Sequence, residues 1–124
     1  MRNKVLVIED EPIIGEMMCI LLEMEGYKVV SLSDTAWARR KLEANDIALV
    51  MLDLNLGGEN GQSMCSYIKQ QPDFKDIPVI LVSGSTDLEK IAADCGADDY
   101  LAKPFDLKDF VSKVNKWTGA GAAA

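Results

Sequence analysis

The residues of this chain that could carry chemistry lie directly after short apolar runs. The runs and their polar followers are Val5–Ile8 before Glu9 and Asp10, Leu49–Leu52 before Asp53, Val79–Val82 before Ser83, and Tyr100–Ala102 before Lys103. Because the carboxyl ends of parallel strands converge on one crevice, we expect these side chains to share one small site. Three carboxylates, a hydroxyl and an ammonium group suit one divalent cation together with one phosphoryl group.

Asp53 is the predicted centre of this chemistry. A carboxylate after an apolar strand is costly to desolvate unless a cation compensates it, and a metal and Lys103 would both do so. Mg²⁺ prefers oxygen ligands, and Asp10 and Asp53 can provide them directly. Glu9 would act through a water molecule, and Asn55 can add its backbone carbonyl.

The predicted reaction is attack of the Asp53 carboxylate on a phosphorus atom. The negative charge on the phosphoryl oxygens would be met by the cation, the Lys103 ammonium and the Ser83 hydroxyl. A purely structural interpretation is a buried ion pair between Asp53 and Lys103, with Ser83 as a polar strand end. Each residue alone favours the structural interpretation, whereas their joint order along the strand ends favours the chemical one.

Length and composition limit the classes of partner and chemistry. The chain has 124 residues, the length of one domain, and its 20 acidic and 13 basic residues give a net charge of -7. We therefore predict no direct contact with nucleic acid and no binding to membranes. There is no histidine, which excludes histidine-based catalysis and histidine-ligated metals within this chain.

Two further features bear on the compartment. The three cysteines lack the spacing of a disulfide framework or a zinc site, and we expect buried free thiols. Only four apolar residues follow Met1–Lys4, too few for a secretory leader or a membrane span. Both observations favour the cytoplasm.

Short apolar runs and helical patterns alternate about five times along the chain, which is typical of a parallel sheet with helices on both faces. The expected strands are Val5–Ile8, Lys28–Leu32, Ile47–Leu52, Val79–Val82 and Asp99–Ala102. The expected helices run from Pro12 to Gly26, from Ser33 and Asp34 to about Ala44, through Met64, Cys65 and Ile68, from a capping box at Thr86 to near Gly96, and from Asp106 to Trp117. Residues 118–124 are of low complexity and are predicted to be a linker stub or an added tail.

Over about residues 4–117 the chain resembles the response-regulator receiver domain of two-component signalling. The resemblance is carried by Glu9–Pro12, Met51–Leu56, Gly58, Gly61, Val82–Gly84 and Asp99–Phe105. It implies a receiver domain over residues 1–117 with an α/β, flavodoxin-like (βα)5 three-layer sandwich and a parallel sheet of order 2-1-3-4-5. It also implies a cis peptide bond between Lys103 and Pro104.

The resemblance implies a role for each candidate residue. Asp53 is the phosphoacceptor, Glu9 and Asp10 form the acidic metal pair, Lys103 binds the phosphoryl group, Ser83 is the switch hydroxyl and Tyr100 the switch aromatic. The phosphoryl group would come from a sensor histidine kinase or a histidine phosphotransfer protein, with Mg²⁺ or Mn²⁺ as cofactor. The domain would not be an enzyme in the ordinary sense, because it catalyses only its own phosphorylation and dephosphorylation.

The implied output is a change of surface. Phosphorylation would repack the face formed by helix 86–95, strand 99–102 and helix 106–117, the fourth helix, fifth strand and fifth helix in chain order. A downstream effector or a second copy of the chain would bind there.

Two other functions stay open. A phosphatase of the haloacid dehalogenase type also uses an aspartate after a strand, but it needs a second aspartate where Asn55 stands. A non-phosphorylated pseudo-receiver that binds proteins usually lacks the acidic pair, the acceptor or the lysine, all of which are present here. The chain also departs from the family at Gly57, where receivers commonly carry proline, and at Glu9, which replaces a more frequent aspartate.

Overall fold

A five-stranded parallel sheet lies between two layers of helices in the computed structural model, which describes residues 3–119. The strands are β1 (Lys4–Ile8), β2 (Lys28–Leu32), β3 (Ile47–Asp53), β4 (Val79–Ser83) and β5 (Asp99–Ala102). The helices are α1 (Pro12–Met24), α2 (Ala38–Glu43), α3 (Gly61–Gln70), α4 (Leu88–Cys95) and α5 (Leu107–Thr118). The strands are ordered β2-β1-β3-β4-β5 and all pair in parallel, which confirms the predicted flavodoxin-like topology.

Two apolar cores cover the two faces of the sheet. Alternate residues of one strand enter different cores, as the two-residue period of a strand requires. In β1, Val5 packs toward the core that includes Phe110 of α5, whereas Leu6 packs toward the core that includes Ile68 of α3. All four residues are fully buried, and burial of each side chain stabilises the fold by roughly 1.5–3 kcal/mol.

Several predicted helix ends are confirmed. Pro12 is the first residue of α1, and Gly26 follows its end with a φ of 92°. Gly96 ends α4 in the left-handed region with a φ of 81°. Asp106 caps α5, because its Oδ1 accepts a hydrogen bond from the Lys108 N–H at 2.7 Å. The Lys103–Pro104 peptide bond is cis, as the resemblance implied.

Two predicted helix starts are wrong. The helix expected from Ser33 and Asp34 begins only at Ala38, since Asp34 Oδ1 accepts the Ala36 N–H at 3.0 Å and forms a local turn instead of a helix cap. The capping box expected at Thr86 does not form, and α4 begins at Leu88 without a side-chain cap.

The apolar periodicity of α1 gave the helix correctly but not its buried face. The core contains Gly15, Met18 and Leu22. By contrast, Ile13 is 83 % exposed and Met24 is 76 % exposed. In the sequence, Ile13, Met17, Leu21 and Met24 recur at helical spacing, so both residues belong to the apolar repeat that predicts the helix. A hydrophobic repeat therefore identified the element, while the sheet decided which side it covers.

A small antiparallel hairpin between β3 and α3 was not expected from the sequence. It pairs Asn55–Leu56 with Glu59–Asn60. Its turn consists of Gly57 and Gly58, with φ values of 56° and 103°. Two-residue hairpin turns with positive φ at both positions favour glycine. Proline, which fixes φ near −65°, could not occupy position 57 in this conformation.

The chain end and the cysteines complete the comparison with expectation. Helix α5 includes Thr118, and Gly119 caps it, so the first of the residues assigned to the tail belongs to the helix. Residues 120–124 of that predicted tail lie outside the described residues. Cys65 and Cys95 are buried free thiols as predicted, whereas Cys19 is only partly buried. Among residues 3–119, no helix has the length and apolarity needed to cross a membrane.

Candidate functional site

The predicted side chains meet at the carboxyl edge of the sheet. Asp53 and Ser83 are the last residues of the neighbouring strands β3 and β4, and both are buried. Glu9 follows β1, and Lys103 follows β5. The chain leaves β1 toward β2 on one side and returns to β3 on the other, so a crevice opens at this point of the sheet.

Four carboxylates cluster in this crevice. One oxygen each from Glu9, Asp10, Glu11 and Asp53 lies within 4.8 Å of the others. Glu9 and Asp53 are buried, Asp10 is partly exposed and Glu11 is exposed. The sequence prediction missed Glu11, although the run of three acidic residues after β1 was its visible signal. Such a set of oxygen donors is suited to a hard divalent cation.

Lys103 is the cation that the described structure places among these carboxylates. Its Nζ lies 2.9 Å from Glu9 Oε1, 3.4 Å from Asp53 Oδ2 and 3.6 Å from Glu11 Oε1. The predicted partner was Asp53, but the shortest contact is to Glu9. Burial lowers the pKa of Lys103, but the close contact with the Glu9 carboxylate and the negative charges of Asp53 and Glu9 outweigh this effect, so the pKa is raised overall. The lysine therefore stays positively charged in the crevice.

Glu9 is the carboxylate of the cluster whose pKa is raised. Burial, and then the neighbouring Asp53 carboxylate, raise the pKa of Glu9 to about 7, against the lowering effects of Lys103 and the Glu11 N–H. Glu9 Oε2 accepts the Glu11 N–H at 3.2 Å. Glu9 Oε1 is buried and forms an ion pair with Lys103 Nζ at 2.9 Å, but within residues 3–119 it accepts no well-directed hydrogen bond. A bound cation would give this buried oxygen a further partner.

Asp53 is held by the loop that follows it. Its Oδ1 accepts the Asn55 N–H at 3.1 Å, which leaves Oδ2 on the side of Lys103. The next residue, Leu54, continues the sheet by donating its N–H to the Val82 carbonyl at 3.2 Å. Asn55 thus lies beside the carboxylate, and its backbone carbonyl as a metal ligand stays a prediction.

The two predicted switch residues occupy different environments. Ser83 Oγ is buried and accepts the Ser85 N–H at 3.1 Å, while the Ser83 carbonyl accepts the Lys103 N–H at 2.8 Å. Tyr100 lies in β5, partly buried, with Lys113 Nζ 5.2 Å from the centre of its ring. Ser83 therefore lies at the carboxyl end of β4, next to the strand that ends in Asp53, whereas Tyr100 lies beside helix α5.

Comparison with known proteins places this geometry in a family. The sequence model described as "Response regulator receiver domain" matches residues 5–115. The chain is 34 % identical over 116 residues to the "Phosphate regulon transcriptional regulatory protein PhoB" of Escherichia coli, covering 92 % of this chain and 51 % of that protein. It is 33 % identical over 116 residues to the "DNA-binding response regulator MtrA" of Mycolicibacterium smegmatis, covering 92 % and 50 %. The chain thus spans about half the length of the curated relatives it matches.

Solved structures give the same result. A putative response regulator from Chloroflexus aurantiacus has a TM-score of 0.88 at 26 % identity, covering 96 % of this chain and 99 % of that one. The receiver domain of a sensor histidine kinase from Pseudomonas aeruginosa has a TM-score of 0.84 at 25 % identity, with 96 % and 99 % covered. That structure is described as having a magnesium ion coordinated in the active site cleft.

The relatives also correct one prediction. MtrA is named a DNA-binding response regulator. A relative from Synechocystis is named "DNA-binding dual master transcriptional regulator RpaA"; it is 34 % identical over 113 residues, with 90 % of this chain and 47 % of that protein covered. The exclusion of nucleic acid from the partners is therefore wrong. It was inferred from a net charge that describes only the stretch shared with these proteins, about half of their length. The curated relatives described above are named as regulators, and the chain belongs to the response regulator receiver domain family.

Proposed function

We propose that Asp53 accepts a phosphoryl group in a Mg²⁺-dependent reaction, and that the donor is a histidine kinase or a histidine phosphotransfer protein. The observation that carries this proposal is the position of the Asp53 carboxylate between an acidic cluster and the ammonium group of Lys103. A carboxylate oxygen of Asp53 would form the new bond to phosphorus. The bond between phosphorus and the donor would break, and its electron pair would leave with the donor.

The acidic cluster is the proposed metal site. Glu9, Asp10 and Asp53, with the Asn55 carbonyl, would hold Mg²⁺ or Mn²⁺, and Glu11 adds a fourth carboxylate at the rim. Glu9 Oε1, which is buried and accepts no hydrogen bond from the described part of the chain, supports this assignment, because a bound cation would compensate its charge. When bound, the metal supplies positive charge that offsets repulsion between the carboxylates and an incoming phosphoryl group.

Lys103 and Ser83 are the proposed partners of the phosphoryl oxygens. Lys103 already contacts Asp53 Oδ2 at 3.4 Å, and its raised pKa keeps it positively charged. Ser83 Oγ accepts a hydrogen bond from the Ser85 N–H, and its own hydrogen can be donated to a phosphoryl oxygen. Both groups would stabilise the negative charge of the phosphoryl oxygens, which is present at Asp53 only after transfer.

The proposed response is a change on the face formed by α4, β5 and α5. Movement of the Ser83 hydroxyl toward a phosphoryl group would open space beside β5, into which Tyr100 could turn. Tyr100 now has Lys113 against its ring, and the Tyr100 carbonyl accepts a hydrogen bond from Lys113 Nζ at 2.6 Å. Rotation of the ring would break the contact with Lys113 and alter the surface of α5.

The direct test is covalent labelling by a small phosphodonor. Protein is treated with acetyl phosphate and Mg²⁺, and intact mass is measured before and after hydroxylamine, which removes acyl phosphates. The wild type should gain one phosphoryl group that hydroxylamine releases, and EDTA should prevent the gain. Asp53→Ala should gain none, whereas Asp94→Ala, which removes an exposed aspartate of α4, should label as the wild type does. Equal labelling of Asp53→Ala would refute the proposal.

A further inference from the structure

Gly61, the first residue of α3, lies closer to the backbone of Asp53 than a side chain would allow. An ideal Cβ at this position would be 2.2 Å from the Asp53 carbonyl oxygen, 2.8 Å from Leu54 Cα and 3.1 Å from the Asp53 carbonyl carbon. All three atoms are backbone atoms, so no side-chain rotation can relieve the contact. Gly61 is not among the glycines with positive φ. Glycine is therefore required here for space and not for its backbone conformation.

The close approach is fixed from both sides. The Gly61 N–H donates to the Leu54 carbonyl at 3.0 Å, and the Leu54 N–H donates to the Val82 carbonyl at 3.2 Å. Helix α3 is anchored below by Ile68, which is completely buried in the core. The Asp53–Leu54 peptide is thus held between β4 and the first turn of α3.

We propose that Gly61 is a positioning residue for the phosphoacceptor: its missing side chain lets α3 set the Asp53–Leu54 peptide so that the Asp53 carboxylate and the Asn55 carbonyl point into the acidic cluster. This inference rests on the proposed function. A Cβ at position 61 must move from 2.2 Å to beyond 3.0 Å from the Asp53 oxygen, a displacement of about 1 Å. A misplacement of about 1 Å in a reacting group can reduce the rate about 100-fold.

The experiment compares three variants by two measurements. The first measurement is the labelling rate at saturating acetyl phosphate and Mg²⁺, at a temperature well below the Tm of each variant. The second is the Mg²⁺ dissociation constant by calorimetry. Gly61→Ala should label about 100-fold more slowly and bind Mg²⁺ more weakly, while its circular dichroism stays that of a folded protein.

Two controls separate positioning from folding. Gly84→Ala adds a methyl group at the same edge of the sheet, where the nearest atom is the Lys103 carbonyl oxygen at 4.0 Å, and it should label at the wild-type rate. Asn60→Ala removes the side chain that caps α3 through the Gln62 N–H at 2.8 Å. It should lower the Tm but keep the labelling rate, because it adds nothing against Asp53.

Each outcome decides the inference. If Gly61→Ala loses only thermal stability and labels at the wild-type rate, Gly61 has no positioning role. If Gly61→Ala is unfolded in buffer, the measurement is repeated in trimethylamine oxide, which favours the compact state. A variant that stays unfolded there also counts against the inference, because positioning alone predicts a folded but slow protein. If the wild type itself does not label, the proposed function fails instead.

Discussion

Replacing Glu9 by glutamine should stabilise the metal-free domain at high pH. Glu9 is buried beside Asp53, and its pKa is raised from the ordinary 4.5 to about 7. The folded state therefore holds the Glu9 proton more tightly than the unfolded state does. The stability associated with the protonated form is fully present below pH 4.5 and is lost as the pH rises through 7. Glutamine has a similar shape, carries no charge and does not titrate in this range.

The size of the effect follows from the shift in pKa. Each pKa unit corresponds to about 1.4 kcal/mol, so raising the pKa of Glu9 from 4.5 to about 7 corresponds to about 3 kcal/mol in the free energy of unfolding. The side chain is 1 % exposed, so solvent screening does not reduce this figure much. Without metal, Glu9→Gln should be more stable than the wild type by up to about 3 kcal/mol at pH 8, and by roughly 1 kcal/mol or less at pH 5.

The assay is urea unfolding of both proteins at pH 5 and pH 8, each with EDTA and with excess Mg²⁺. At pH 8 Mg²⁺ should stabilise the wild type, since a ligand that binds the native state adds to stability. The free energy of unfolding of the wild type should then approach or exceed that of Glu9→Gln. Glu16→Gln, at an exposed position of α1, should show no such dependence on pH or Mg²⁺. A stability difference between wild type and Glu9→Gln that is equal at both pH values in EDTA would refute the reasoning.

Three further outcomes are expected. Lys103→Ala should still accept a phosphoryl group, but phosphorylation should no longer change its affinity for a partner. If phosphorylation changed the partner affinity of Lys103→Ala as much as that of the wild type, the proposed role of Lys103 would be contradicted. Gly57→Pro should lower the free energy of unfolding by about 1 kcal/mol or more in urea titrations, because φ at this position is 56°. Asp99→Asn weakens hydrogen bonds from Lys113 Nζ and Trp117 Nε1, both 2.8 Å long. Burial raises the pKa of Asp99, but these two donors outweigh burial and lower the pKa overall. The free energy of unfolding of the wild type should therefore exceed that of Asp99→Asn by roughly 1–2 kcal/mol at pH 7, and the difference should vanish as the pH falls below 3.8.

The sequence determined the class of fold and most of the candidate site. Central strands such as β3 are buried on both faces and must be continuously apolar, which makes them visible as short uniform runs. Asp53 and Ser83 could be found because they interrupt that pattern where a strand ends. The helix stops at Gly26 and Gly96 were also local, since each needs a positive φ that glycine adopts readily.

Features set by competing local hydrogen bonds were harder to predict. Asp34 could either cap a helix or close a turn on the Ala36 N–H, and both options use the same residue types. Thr86 and Glu89 match a capping box in sequence, yet α4 starts at Leu88. The energy difference between such alternatives is about 1 kcal/mol, which tertiary packing outweighs.

Only the tertiary structure decided how the groups meet. Glu11 joins the acidic cluster and Glu9 takes the shortest contact to Lys103, because both outcomes depend on distances between separate strand ends. The requirement for Gly61 arises from its contact with the Asp53 backbone, which no local pattern records. Periodicity and turn chemistry are properties of neighbours along the chain, whereas burial, charge coupling and close backbone approach are properties of neighbours in space.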